Sequence, residues 1–316
     1  VPLGYLSYNS QKYFYRNFSM ANIPTRDRVS PDRINTSPLR RPEWIKVKPP
    51  SGETYQNLHT LMRSKSLFTV CEEAMCPNMG ECWGAGTATF MILGNICTRS
   101  CGFCAVATGK PLPADWDEPL RIAESVKLMN LKHCVITSVD RDDLKDGGSL
   151  IWTETIKQVR ALNPETKFEC LIPDFAGKWD NLQRIIDLRP DIVSHNIETV
   201  RRLTAQVRIQ AKYDRSLEVI KRLHQGGVKT KSGIMVGLGE TESELFETIR
   251  ELRENGCDVL TIGQYLQPTS NHLKVQRFVH PDLFNSYRTY AQSLGFKYVE
   301  SGPLVRSSYH AEQHVF

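Results

Sequence analysis

The stretch TATFMILGNICTRSCGFC, residues 87–104, sets a short apolar run immediately ahead of three cysteines. Residues 87–93 are too few for a helix and suit a buried strand, so the cysteines fall in the loop at a strand's exit. Five more runs of this kind follow: HCVITS at 133–138, KFECLI at 167–172, DIVSHN at 191–196, KSGIMV at 231–236 and DVLTIGQYL at 258–266. Between them, and after the last, residues 118–130, 151–162, 179–188, 214–226, 241–255 and 281–294 carry apolar side chains at helical spacing. Strand then helix, six times over, predicts a parallel α/β sheet with helices outside, best fitted by a partial (β/α)6 TIM-type barrel. In such barrels the loops after the strands form the functional face, and Cys97, Cys101 and Cys104 fall there. No G-x-G-x-x-G follows the first strand and no G-x-x-x-x-G-K-[ST] occurs, which removes the main support for dinucleotide or P-loop nucleotide binding.

Outward from that stretch, composition narrows the function classes. At 316 residues and 40% hydrophobic content the chain can bury one large core, in one or two domains. No run approaches the roughly 20 apolar residues of a membrane-spanning helix, and no signal segment opens the chain, so a cytoplasmic protein is expected. Residues before Met20, in a chain that does not open on methionine, are expected to be an upstream extension. The net charge of +5 is concentrated in residues 1–50, with nine Lys/Arg against Asp27, Asp32 and Glu43. The same fifty residues hold seven of the seventeen prolines, which predicts an irregular basic arm on a nearly neutral body. A solvated tail or a docking arm for an acidic protein would account for it. No basic face with interleaved aromatics continues into the body, so nucleic acid is not an expected partner.

Nine cysteines in a chain this large point to reduced thiols or metal ligands rather than a disulfide framework. Six lie within residues 71–104, as two sets of three: Cys71, Cys76 and Cys82 at C-x4-C-x5-C, then Cys97, Cys101 and Cys104 at C-x3-C-x2-C. A structural zinc site wants four ligands, commonly from C-x2-C pairs, and a ferredoxin cubane takes four thiolates. Three thiolates on a cubane leave one iron free for another molecule. Cys134 and Cys170 sit inside predicted strands and read as small buried hydrophobes, with Cys257 at a strand start only slightly better placed to ligate.

CTRSCGFC on a βα-barrel resembles the radical S-adenosylmethionine (SAM) enzymes. That resemblance implies a [4Fe–4S] cluster on Cys97, Cys101 and Cys104, an open iron that binds the amino and carboxylate groups of SAM, and Phe103 as the aromatic between the last two cysteines. CEEAMCPNMGECW, CTRSCGFCAVATGKP, TSVDRDDLKDGG, HNIET, KSGIMVGLGE, QYLQPT and RSSYHA together, in this order, are similar to the lipoyl synthase family over residues about 55 to 312, with the arm before residue 40 outside the match. The resemblance implies a second, auxiliary [4Fe–4S] cluster on Cys71, Cys76 and Cys82, completed by a serine oxygen from the RSSY block, Ser308 by the family pattern. The residues alone do not separate Ser308 from Ser307.

The resemblance further implies radical insertion of two sulfur atoms, at C6 and C8 of an octanoyl chain amide-linked to a carrier lysine, with two SAM consumed per product and the auxiliary cluster giving up its sulfides. Such C–H bonds lie beyond acid–base chemistry at neutral pH, so a cofactor must carry the hard step. SAM needs carboxylates, hydroxyls and exposed backbone at strand ends. Ser138, Asp140, Arg141, Asp142 and Asp143 after the second strand and Asn196 and Glu198 after the fourth are the candidates, with Gly233, Gly237 and Gly239 permitting close backbone approach. His195 reads as a structural strand histidine, while Tyr213, Arg215 and Ser216 are candidate channel residues. Implied partners are octanoylated lipoyl domains of 2-oxoacid dehydrogenases or the glycine cleavage H protein, an electron donor such as ferredoxin or flavodoxin, and iron–sulfur assembly proteins; no membrane is expected. The expected organisation is an arm at 1–50, an auxiliary-cluster extension at 51–86, the radical SAM barrel at 87–280, and a C-terminal helix and serine segment at 281–316. A methylthiotransferase would carry widely separated cysteine sets and an RNA-binding domain, and a biotin-synthase-like enzyme would lack the serine block. A non-enzymatic iron–sulfur carrier would not need a barrel.

Overall fold

A computed structural model of the chain describes residues 40–46, 53–65, 67–73, 76–84 and 88–314. The chain divides between Leu39 and Arg40, and every described residue belongs to the second unit, Arg40–Phe316. Most of the basic arm predicted at 1–50 lies outside the described residues.

Three short helices precede the barrel: α1 (Glu53–Ser64) and, after the two-residue strand β1 (Phe68–Thr69), α2 (Val70–Glu73) and α3 (Met79–Gly84). The first barrel strand, β2 (Thr89–Ile92), leads into a small parallel ladder, β3 (Ile96–Cys97) with β4 (Ala107–Thr108). Alternation then sets in with α4 (Glu118–Leu128), β5 (His133–Ser138), α5 (Ser149–Leu162), β6 (Lys167–Leu171), α6 (Trp179–Asp187) and β7 (Ile192–Ser194). After the single turn α7 (Thr204–Val207) it continues with α8 (Tyr213–Gln225), β8 (Thr230–Val236), α9 (Glu242–Glu254), β9 (Val259–Gln264), α10 (Pro281–Ser293) and β10 (Tyr298–Gly302).

The barrel sheet runs β1-β2-β5-β6-β7-β8-β9-β10, parallel throughout except for β1. Because each crossover helix covers the sheet, the central strands are buried on both faces, as in the all-buried His133–Val135–Thr137 stretch of β5 and the whole of β9. Local chemistry reinforces the alternation. Thr241 and Glu244 close a capping box on α9, and Pro281 at the first turn of α10 takes the position where its missing N–H costs nothing.

All six predicted strands and six predicted helices are present, and the partial barrel stands. A seventh parallel strand, β10, was not predicted, nor were α1 to α3. KYVESG at 297–302 alternates and contains Glu300, so no apolar run marks it, and it is a strand because it pairs with Val259–Gly263 of β9. Among the described residues no helix is long and apolar enough to cross a membrane.

Candidate functional site

Both cysteine trios open onto one cavity of about 610 Å³ at the C-terminal ends of the strands. The first trio is set by the exit from β2. Leu93 and Gly94 turn the chain at positive φ, and the buried Glu118 at the start of α4 accepts from both N–H groups, at 2.7 and 3.4 Å. The loop between β3 and β4 is then fastened to its neighbours. Thr98 N–H donates to the Asp140 carbonyl (3.0 Å), Gly102 N–H to Val207 (2.9 Å), and Leu273 N–H to Gly102 (3.0 Å). A Cβ on Gly102 would stand 2.9 Å from the Leu273 side chain, so this approach needs glycine. The Cys97 sulfur accepts from the backbone of Arg99 (3.4 Å) and Asp140 (3.3 Å), and His272 Nε2 lies 3.0 Å from the Cys104 carbonyl.

Beneath the loop, buried Arg99 meets three carboxylates: Asp140 at 3.2 Å, Asp142 at 2.7 Å and Asp174 at 2.7 Å. Burial raises the Asp140 carboxyl to about 6 against the pull of Arg99. Burial would also raise Asp174, but the Arg99 charge prevails and holds it at about 2. The thiols are pushed upward: Cys97 by burial and then by Asp140, Cys101 by burial to about 12, and Cys104 by burial to about 11.

The second trio is carried by α2, α3 and the turn between them. Cys76 N–H donates to Cys71 O (3.0 Å) and Cys82 N–H to Asn78 O (2.9 Å). Burial and then the neighbouring Cys76 raise Cys71 to about 11; burial and then Cys76 and Cys71 raise Cys82 to about 12. All three cysteines line the cavity. The other end of the chain closes the site: Asn78 Nδ2 donates to Leu304 O (2.7 Å), and Val305, Arg306, Ser307 and Ser308 line the same cavity.

The donor set suits iron–sulfur ligation. All six thiols are free and face the cavity, and their raised pKa values mean that binding releases protons. Among the described residues no three His, Cys, Asp or Glu side chains converge tightly enough for a single ion. A cubane, which presents four separate irons, does not require that convergence. The pocket beside the first trio suits a polar ligand: Asn196 Oδ1 is buried without a hydrogen-bond partner among the described residues. Gly233 keeps that spot open, since a Cβ there would stand 2.9 Å from both Asn196 Oδ1 and Thr261 Oγ1.

Of the predicted cofactor residues, Phe103, Ser138, Asp140, Asn196 and Glu198 line the cavity. Burial raises the Glu198 carboxyl. The others stand elsewhere. Arg141 is buried in a staple to Asp143 (2.8 Å) and the carbonyls of Leu93 and Leu112. Asp142 is spent on Arg99, and a Cβ on Gly237 would overlap Gln264 and the Arg277 carbonyl, so this glycine packs a turn. Tyr213 turns away to Glu251 (2.6 Å), Arg215 reaches the cavity wall through Asp174 (3.2 Å), and Ser216 reaches it through His195 (3.0 Å) and Arg208 (3.1 Å). His195, expected to be structural, bridges Ile172 O (2.9 Å) and Ser216 Oγ (3.0 Å) and also lines the cavity, with burial lowering it to about 4. Cys134, Cys170 and Cys257 are fully buried away from the cavity. Arg99 and Arg208 line the cavity and were not predicted; Arg99 stands inside the cysteine motif, whereas nothing in the sequence marks Arg208.

Comparison with known proteins agrees. The profile of the radical SAM superfamily matches residues 91–252, and that of the N-terminal domain of lipoyl synthase matches residues 22–76. The second match corrects the expected extent of the resemblance, which reaches back past residue 40 into the segment read as an unrelated arm. Among solved structures, Streptococcus suis SuiB bound to S-adenosylmethionine matches with a TM-score of 0.55 at 14% identity, over 71% of this chain and 53% of that one. Methylornithine synthase (PylB) matches at 0.51 and 13%, over 78% and 81%. These establish the fold. Lipoyl synthase of Flavobacterium johnsoniae is 61% identical over 89% of this chain and 98% of its own, and the mitochondrial lipoyl synthase of Nematostella vectensis 59% identical over 87% and 95%. With such identity spread over nearly the full length of these relatives, the chain belongs to the lipoyl synthase family of radical SAM enzymes.

Proposed function

We propose that the chain inserts sulfur at C6 and C8 of an octanoyl group held on a lysine of a carrier protein, with the two trios taking separate parts. The observation that carries this reading is that both trios and the C-terminal serines face one cavity. Cys97, Cys101 and Cys104 would hold the cluster that engages SAM, and when bound this pair supplies the power to remove hydrogen from an unactivated C–H bond. Asn196 offers an acceptor and Glu198 a carboxylate toward the cationic cofactor, while Phe103, Ser138 and Asp140 complete the wall. Met91, Leu171, Ile172 and Met235 give the cavity an apolar side that suits an eight-carbon chain and keeps water from a reactive centre.

Cys71, Cys76 and Cys82 with Ser308 would hold a second [4Fe–4S] cluster that is consumed as the sulfur source. Serine is a weaker iron ligand than thiolate, which makes its iron the easiest to release. Octanoylated lipoyl domains or an H protein as substrate, a ferredoxin or flavodoxin as reductant and iron–sulfur assembly proteins to rebuild the spent cluster follow from that chemistry. A reducing compartment such as the cytoplasm suits nine free thiols. The test is anaerobic turnover of reconstituted protein with a reductant, SAM and an octanoyl-lysine peptide from a carrier domain. About two 5′-deoxyadenosine per thiolated peptide, with sulfur at both carbons, is expected from two hydrogen removals. Deoxyadenosine without sulfur in the peptide would overturn the reading.

A further inference from the structure

The segment that carries Ser307 and Ser308 runs between opposite ends of the barrel and is fastened at each. At the cavity end it leaves β10 at Gly302 and passes β9 at Gly263. A Cβ on Gly263 would overlap the Val305 carbonyl and stand 3.3 Å from the Arg306 guanidinium, so glycine alone lets the chain turn inward here. Beyond the serines, the Tyr309 hydroxyl lies 3.1 Å from Glu81 on α3, and its ring stacks on His310 at 3.9 Å. Ala311–His314 then forms a single 3-10 turn, with Ala311 and His314 fully buried. This turn packs against β5, and the His314 ring lies 4.6 Å from that of Tyr298, the first residue of β10. Strand starts mark the end of the barrel away from the cavity.

His314 is an unusual anchor. Neither of its ring nitrogens has a hydrogen-bond partner among the described residues, and the same holds for buried His133 at the start of β5. Nearby, Lys231 and Glu169 form an ion pair with no exposure at 2.7 Å. Burial, then Lys231, pushes His314 down to about 2, so the ring is neutral and is held by shape. We propose that Gly263 and His314 are positioning residues that stretch the serine segment across the second cysteine trio, so that the completeness of that site depends on a plug at the far end of the barrel. This rests on the assignment of Ser308 to the second site. It sets specific demands on the plug: an apolar ring should replace His314, and a fixed positive charge beside Lys231 should expel it.

Hydrogen exchange on the cluster-free, full-length chain reads the anchoring directly, and iron content after reconstitution reads its consequence. His314→Phe should keep the amides of residues 306–314 protected and the iron near eight per chain. His314→Lys should speed exchange across that segment by about tenfold or more, since an unanchored terminus frays, while strands β5 to β9 stay protected. Its iron should fall to about four, with SAM cleavage retained. Gly263→Val, at the other anchor, should speed exchange of the same amides. Wild-type exchange in His314→Lys and Gly263→Val would overturn the proposal, as would iron loss without faster exchange. Ser308→Ala separates the two readings. If it keeps eight irons, the serine assignment fails; if it loses four while His314→Lys with a frayed segment keeps them, only the positioning role fails.

Discussion

The two cysteine trios differ in how the chain builds them. Cys97 ends β3, and Cys101 and Cys104 follow in the loop to its paired strand β4, a loop fastened by backbone hydrogen bonds to Asp140, Val207 and Leu273. Cys71 and Cys82 sit on helices of four and six residues, too short to hold themselves, and Cys76 lies between those helices. Across 226 residues of sequence the Asn78 side chain donates to the Leu304 carbonyl, and the serines that follow line the same cavity as these cysteines. A site proposed to keep its cofactor is thus mounted on the barrel, and a site proposed to be dismantled at each turnover is clasped between the chain's two extensions. On the proposed function, the difference puts rigidity where geometry must be repeatable and separable parts where a cluster would leave and return.

The largest expected effects test that division. Cys101→Ala should abolish deoxyadenosine formation, by about a thousandfold or more, because the group that carries the hard step is lost. The second trio of that variant should still load about four irons, because none of its mounts passes through the first loop. Cys71→Ala should do the reverse, cleaving SAM within about tenfold of the wild-type rate and yielding no thiolated octanoyl product. Iron content and deoxyadenosine assays on both variants check this. Sulfur insertion by Cys71→Ala with an empty second site would break the comparison.

The same contrast governed what could be read from sequence. The barrel strands were legible because burial on both faces writes them as apolar runs, and HCVITS at 133–138 matches β5 residue for residue. The cysteines were legible by spacing. β10 was not, since Glu300 and Ser301 interrupt it and its pairing with β9 is a long-range fact. Nor was the full role of TSVDRDDL: Ser138 and Asp140 line the cavity as the cofactor-wall reading expects, yet Arg141 pairs locally with Asp143, and Asp142 pairs with Arg99, a partner invisible until the loops meet. Arg208 had no local signal at all, because its place in the cavity comes from the fold of the loop after β7.

A smaller effect should come from the charge cluster under the first trio. Arg99→Met leaves Asp174, which has no exposed surface, with Arg215 at 3.2 Å as its remaining cation. Breaking a buried pair in this way costs about 3 kcal/mol. The sign with pH follows from Asp174, held at about 2 against an ordinary 3.8. A depressed carboxylate contributes stability above its unfolded value and loses it as pH falls toward its folded one, so the wild type should weaken between about pH 4 and 2. In Arg99→Met, burial acts with less opposition, the carboxyl rises, and the acid limb of a melting curve should move upward. An unchanged acid limb would mean that Arg215 alone holds Asp174, and the loop would then owe little to Arg99.

The smallest effect concerns the arm, and it asks where the clasped half of the molecule begins. The lipoyl synthase N-terminal profile starts at residue 22, so residues 22–40 belong with the second trio by descent, while residues 1–21 add Lys12, Arg16 and no acidic group. If the arm recruits an acidic carrier domain by charge, truncation should act in proportion to the charge removed. Deleting 1–21 should raise the KM for the carrier protein by about twofold at low salt, and deleting 1–40, which also removes Arg26, Arg28, Arg33 and Arg40 against Asp27 and Asp32, by more. Both effects should fade as salt shortens the screening length below about 8 Å, and a short octanoyl-lysine peptide should be used equally well throughout. Iron content decides the alternative. A fall from about eight irons to four on deleting 1–40, with none on deleting 1–21, would make residues 22–40 part of the scaffold of the second site and leave docking to other surfaces.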